Sequence, residues 1–135
     1  MLFRSVLSTS DFAAGLAWWQ ANGASLGTDA YTFSKEAVVV YTMQLAGRGL
    51  SRGIRVNDVG PGPVDTPILP DFEHMTGRQM MQTYISTVGR LGRPDDIAEA
   101  LVVLAEGQIG WLNGQHLVVD GGLTAGFSAG WNSGR

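Results

Sequence analysis

Cysteine is absent from the 135-residue chain, so it can build no disulfide framework, thiolate nucleophile or Cys-ligated zinc or iron–sulfur centre. Lysine is nearly absent as well: eight of the nine basic residues are arginine, and Lys35 is the single lysine. Positive charge is in deficit, nine Lys+Arg against twelve Asp+Glu giving a net charge of −3, so no basic field exists to follow a nucleic-acid duplex. Apolar runs are short. None approaches the ~18 residues of a membrane span, and Met1-Leu2-Phe3-Arg4-Ser5-Val6-Leu7 lacks the pattern of a secretory signal. These absences point to a cytoplasmic chain that engages neither nucleic acid nor membrane.

What remains describes a folded chain: 44% hydrophobic and 16% charged residues, in a length that suits one compact domain. Nineteen glycines are about twice the usual share and suit a fold with many tight strand-to-helix turns.

Residues 1–29 read as a leading segment with a short helix over 11–19, ended by Asn22-Gly23, whose Trp18 and Trp19 serve packing. A second helix, capped by Thr28 or Asp29, runs from Ala30 to about Gly47, with a broad apolar surface of Val38, Val39, Tyr41, Met43 and Leu45. Residues 54–59 are a β-branched run that delivers the chain into the rigid loop Gly60-Pro61-Gly62-Pro63. Residues 66–90 read as a mobile cover with helical spacing only over 79–85. Pro94, Asp95 and Asp96 open a further helix whose buried side is Ile97, Ala98, Leu101, Val102, Leu104 and Ala105. His116 to Val119 form a second strand stopped by Asp120-Gly121-Gly122, and the Gly/Ser-rich stretch from Thr124 is expected to lack order. Two strands joined through a helical crossover are most simply parallel, in an α/β arrangement with one strand edge left uncovered.

Tyr31 and Lys35 stand four apart on the second helix, so their side chains share a face. A free phenol is a feeble base at neutral pH, and a fixed ammonium beside it favours the phenolate that can exchange a proton with an alcohol. Spacing alone is weak evidence. Residues 31–37, then Arg55-Val56-Asn57-Asp58-Val59-Gly60-Pro61-Gly62-Pro63-Val64-Asp65-Thr66-Pro67, then Gly92-Arg93-Pro94-Asp95-Asp96-Ile97-Ala98, then Asn113-Gly114-Gln115 through Asp120-Gly121-Gly122, occur in one order. Together they resemble the C-terminal half of the short-chain dehydrogenases/reductases over residues 30–125. Residues 12–18 resemble an insert of the branch that holds the hydroxysteroid and coniferyl-alcohol dehydrogenases.

The resemblance implies the C-terminal part of a Rossmann-type, doubly wound parallel sheet that lacks the N-terminal dinucleotide-fingerprint strands. It divides the single partial domain into a leading segment 1–29, a catalytic helix, strand and nicotinamide loop 30–65, a substrate lid 66–90, a helix and last strand 91–125, and a flexible tail 126–135. It implies NAD or NADP as cofactor, Tyr31 as general acid/base, and Lys35 as the residue that activates it and holds the nicotinamide ribose. Pro61, Gly62, Val64 and Thr66 match the loop that meets the nicotinamide carboxamide, through the Val64 backbone and the Thr66 hydroxyl. The implied reaction is hydride transfer between a secondary or aromatic alcohol or ketone and nicotinamide. Phe72, His74, Met75 and Met80 in the lid reveal no substrate.

The chain also departs from that pattern. Neither Gly60-Pro61-Gly62 nor Gly47-Arg48-Gly49 completes G-x-G-x-x-G at the start of a helix, so no pyrophosphate cradle is read. Trp18 stands where the family's serine is usually found. Asp58 replaces a small apolar residue, which suggests relaxed constraint, because a buried unpaired carboxylate distorts a strand. The expectation is a truncated chain with weak or no activity alone, forming a homo-oligomer or pairing with a full-length relative. The alternatives are a non-catalytic self-association or docking module, and a decayed product. Other signals read as structural: Ser34 as helix packing, His74 and His116 as isolated side chains without metal-ligand spacing, Asp95 and Asp96 as helix-start charges, and Asp120 as a turn residue. No Gly-x-Ser-x-Gly elbow supports a hydrolase.

Overall fold

The computed structural model describes residues 2–27 and 29–131, with side chains from Ser5 onward. The element order is α1 (Leu2–Leu7), α2 (Phe12–Asn22), α3 (Ala30–Gly49), β1 (Asp58–Pro61), α4 (Leu69–Thr76), α5 (Arg78–Val88), α6 (Pro94–Ala105), β2 (His116–Val119) and α7 (Leu123–Ala129). Short 3₁₀ turns follow α2 and α3 at Gly23–Ser25 and Leu50–Arg52. By contacts the chain falls into two units, one of Met1–Asp58 with Leu112–His116, the other of Val59–Trp111 with Leu117–Arg135.

In the first unit, carboxylates start both longer helices, although the sequence offered a cap only for the second. Asp11 accepts the Ala14 amide at 2.8 Å and Asp29 accepts the Thr32 amide at 2.8 Å, each satisfying a helix donor that has no partner within its own helix. Asp29 is therefore a cap of α3; Thr28, the other candidate, lies outside the described residues. Phe33 is buried on α3, with the Trp18 ring stacked at 5.7 Å and the Trp19 ring tilted at 5.1 Å from its centroid. The expected packing role of the tryptophan pair is thus observed.

The segment before β1 departs from the sequence expectation. A strand was expected over 54–59, yet β1 begins at Asp58 and runs to Pro61. Side-chain amides take over the earlier backbone instead: Asn113 Oδ1 accepts the Val56 amide at 2.9 Å, and the Val56 carbonyl accepts the Gly114 amide at 2.8 Å. Asn57 likewise accepts the Gln115 amide at 3.0 Å and donates to the Leu112 carbonyl at 3.1 Å. These bonds satisfy the extended chain without a regular ladder.

Strands β1 and β2 form a parallel two-stranded sheet, with Asp58 N–H donating to the Gln115 carbonyl at 3.0 Å and Gly62 N–H to the Val119 carbonyl at 3.1 Å. The α/β class with parallel strands therefore holds.

In the second unit the 66–90 stretch is more ordered than expected. It forms α4 and α5, separated at Gly77, and Met81 on α5 is among the most buried hydrophobic residues described. The stretch from Thr124 is also not orderless, since α7 occupies Leu123–Ala129 and buries Leu123 and Gly126. Its first amides are held by the Asp120 carboxylate, which accepts from Gly122 at 2.9 Å and Thr124 at 2.7 Å. Residues 132–135 of the expected flexible tail lie outside the described residues. The expected burial of α6 fails in part: Ala98, Leu101, Val102 and Ala105 are exposed, and only Ile97 and Leu104 of the expected side are half-buried.

The start of α6 follows its sequence. Asp96 accepts the Arg93 amide at 2.6 Å and takes a bidentate fork from Arg90 at 2.6 and 3.0 Å. The Arg90 fork first, then the Arg93 amide, holds the Asp96 carboxyl far below the usual carboxylate range. Because the folded pKa is depressed, the stabilisation is present at neutral pH and is lost as pH falls below the range in which an unfolded aspartate titrates. Accordingly, Asp96→Asn should lower the urea midpoint at pH 7, and the gap to the native chain should close in acid. A gap that stays constant with pH would contradict this.

Candidate active site

Tyr31 and Lys35 lie on the first two turns of α3, past the Asp29 cap. The helix brings them together: the Lys35 ammonium sits over the Tyr31 ring, 5.3 Å from its centroid. Tyr31 is 47% exposed, so its phenol can reach a substrate oxygen. Ser34 donates to the Tyr31 carbonyl at 2.7 Å, a helix back-bond that occupies its hydroxyl. Trp18 cannot take the role of the family's serine, for its ring stacks on Phe33 and its Nε1 donates to Ser5 Oγ at 2.9 Å.

In the second unit, Pro61, Gly62, Val64 and Thr66 lie on β1 and the loop beyond it. Gly62 has a reason to be glycine other than a ligand: a Cβ there would stand 2.8 Å from Asp120 Cβ and 2.9 Å from Asp120 Cα. The close approach is to the turn after β2. Gly62→Ala should therefore cost about 1–3 kcal/mol in a urea titration, as overpacking against backbone does; an unchanged midpoint would show that the two turns separate freely.

Val64 forms a parallel bridge with Gly92, carried by its neighbours: Gly92 N–H donates to the Pro63 carbonyl and Asp65 N–H to the Gly92 carbonyl, both at 2.9 Å. Val64's own amide donates to no described residue, and its carbonyl receives only a long 3.4 Å bond from Thr66 Oγ1. One free donor beside one nearly free acceptor is the complement of a carboxamide, so these residues fit the nicotinamide end of a dinucleotide.

The pyrophosphate end finds no such fit in the glycine motifs. Gly47 and Gly49 lie inside the last turn of α3, and Gly60-Pro61-Gly62 leads into a loop, with α4 starting only at Leu69. Among the described residues no group of three or more His, Asp or Glu could hold a metal, and no helix is long and apolar enough to cross a membrane. His74 lies exposed in the last turn of α4.

Two side chains read separately from the sequence in fact meet. Asp58 is not unpaired and His116 is not isolated: His116 Nδ1 contacts Asp58 Oδ1 across the strand pair, while Asp58 Oδ2 is buried without a partner among the described residues. They are far apart in sequence, and only the parallel register of β1 and β2 reveals them as neighbours.

A family profile described as Enoyl-(Acyl carrier protein) reductase matches residues 10–124. A coniferyl-alcohol dehydrogenase of Pseudomonas sp. (strain HR199) is 31% identical over 125 residues, covering 92% of this chain and 49% of that protein. Among solved structures, a putative 2-deoxy-d-gluconate 3-dehydrogenase of Agrobacterium tumefaciens with bound NADP superposes with a TM-score of 0.62 at 32% identity, over 71% of this chain and 39% of that one. A 4-hydroxyisoleucine dehydrogenase complexed with NADH gives a TM-score of 0.60 at 33% identity, over 72% and 40%. The chain thus spans about half the length of its curated coniferyl-alcohol dehydrogenase relative. With the profile match covering most of the sequence, the chain belongs to the short-chain dehydrogenase/reductase family.

Proposed function

We propose that this chain supplies the proton-transfer and nicotinamide-facing parts of an NAD(P)-dependent oxidoreductase that interconverts a secondary or aromatic alcohol and its ketone or aldehyde. The observation that carries the reading is the Lys35 ammonium held over the Tyr31 ring on α3. Tyr31 takes the proton from the alcohol oxygen in oxidation and returns it in reduction. Lys35 stabilises the anionic tyrosine and holds the nicotinamide ribose. Val64 N–H and C=O, with Thr66 Oγ1, orient the carboxamide, while Pro61 and Gly62 shape the turn that presents them. The nicotinamide, when bound, supplies the hydride acceptor. Holding the ring against the substrate carbon is worth more than any bond the loop makes, because alignment converts an encounter into a near-unimolecular step.

Residues 66–90 serve as the lid. We place the chain in the cytoplasm, with weak or no turnover alone. The reading is tested by mixing the chain with the part of its coniferyl-alcohol dehydrogenase relative that it does not span, and following deuteride transfer from labelled NADH and NADPH to aromatic aldehydes. Label in the alcohol product supports the proposal. Its absence with both cofactors, in a mixture shown to associate, refutes it.

The exposed Leu101 and Val102 on α6 favour a second reading, a non-catalytic module that self-associates or docks on a full-length relative. Light scattering that shows a monomer, alone and beside such a relative, removes that support.

A further inference from the structure

The second unit holds a partly open pocket of about 380 Å³, whose apolar lining includes Val64, Ile85, Val88, Leu91, Ile97 and Leu123. We propose that it binds a small, neutral, mainly apolar molecule of one or two rings, beside Val64. The proposal rests on these walls and not on the hydride-transfer reading.

Size comes first. An apolar cavity of ~150 Å³ admits benzene in a protein where leucine has been cut to alanine, and natural small-molecule pockets start near ~300 Å³. The space here is therefore ample for one ring with a substituent.

The walls are also fixed. A Cβ on Gly121, which lines the pocket, would stand 2.5 Å from Val88 Cγ1, so the turn after β2 already touches α5. On another side the bridge between Val64 and Gly92 ties two loops together. On α5, Tyr84 packs edge-on against Phe127 of α7, with ring centroids 5.9 Å apart. Closing the pocket would have to break one of these contacts, so its walls are held apart without a guest.

Charge then sets the ligand class. Three charged residues, Arg90, Asp96 and Asp120, line the pocket, and each is already satisfied. Arg90 gives its fork to Asp96 and a further bond to the Leu91 carbonyl at 2.8 Å. Burial pushes the Asp120 carboxyl up, but hydrogen bonds from the Thr124 hydroxyl and from the Thr124 and Gly122 amides outweigh it and hold the group below its ordinary value. An anionic guest would have to compete with Asp96 for Arg90 and a cationic one with Arg90 for Asp96, whereas a neutral guest disturbs neither.

The test titrates the isotope-labelled chain with cyclohexanol and indole as neutral probes and with benzoate as a charged one, following backbone amides by NMR. Saturable shifts at Val64, Ile85, Leu91 and Ile97 are expected for the neutral probes, with benzoate roughly tenfold weaker. Ile85→Trp and Ile97→Trp, which fill the space from two different helices, should each weaken the neutral probes by about tenfold or more. The proposal fails if no saturable shift occurs in the native chain, if benzoate binds as well as the neutral probes, or if a folded filled variant binds undiminished. A parallel NADH titration keeps the two readings apart, since its failure leaves the probe result standing.

Discussion

Tyr31→Phe is expected to lower turnover by about 10²–10⁴-fold in the chain assembled with the complementary part of its relative, the range lost when a positioned proton donor is removed. The phenyl ring keeps its place under the Lys35 ammonium, so folding and cofactor affinity should both survive. Lys35→Ala should behave differently. It removes both the charge that supports the tyrosinate and the proposed ribose contact, so turnover falls and the Michaelis constant for the dinucleotide rises together. That split separates a proton-transfer residue from a structural one. Equal losses in both parameters for the two variants would show that Tyr31 acts through packing.

The second large effect concerns stability. His116→Val should destabilise the chain by about 1–3 kcal/mol, since it leaves the Asp58 carboxylate without its partner. The estimate sits below that for a fully buried pair because the imidazole is 35% exposed while the carboxylate is only 16% exposed. Asp58→Ala alone should cost less, for it also removes the buried Oδ2 that has no described partner. The double variant Asp58→Ala with His116→Val should recover most of the His116→Val loss, because two apolar side chains then face each other across the strands. Urea titrations of the four proteins give the coupling; strictly additive losses would mean that the contact contributes nothing.

Several elements were legible because their signals are local. Asp11, Asp29, and Pro94 with Asp95 and Asp96 mark helix starts through groups only a few residues away, and those starts stand where expected. The displacement of β1 was hidden, since it depends on Asn113 reaching Val56 from a segment distant in sequence. Helix α7 was hidden by its Gly and Ser content, which says nothing of the Asp120 carboxylate that gathers its first amides. The exposed side of α6 shows the converse failure: Leu101 and Val102 carry helical periodicity, but burial needs a partner that the described residues do not supply.

The candidate site divides in the same way. The Tyr31 and Lys35 contact follows from four-residue spacing on one helix and was readable directly. Val64 and Thr66 were reached through resemblance to a family; what only the fold reveals is that the bridge to Gly92 leaves the Val64 amide without a described acceptor. Gly62 was reached through the same resemblance, and its close approach to Asp120 could be seen only in the fold. The pocket has no sequence signal, because its walls come from the loop after β1, from α5, α6, β2 and α7, and from the turn after β2 together.

The most direct test of the central claim uses reduced nicotinamide mononucleotide, which carries the nicotinamide and ribose without the second half of the dinucleotide. Titrated into the 135-residue chain and followed by NMR, it should give saturable shifts at the Val64 and Thr66 amides, and Thr66→Val should weaken them. Shifts confined to other residues, or none at millimolar ligand, would contradict the assignment of this loop to nicotinamide.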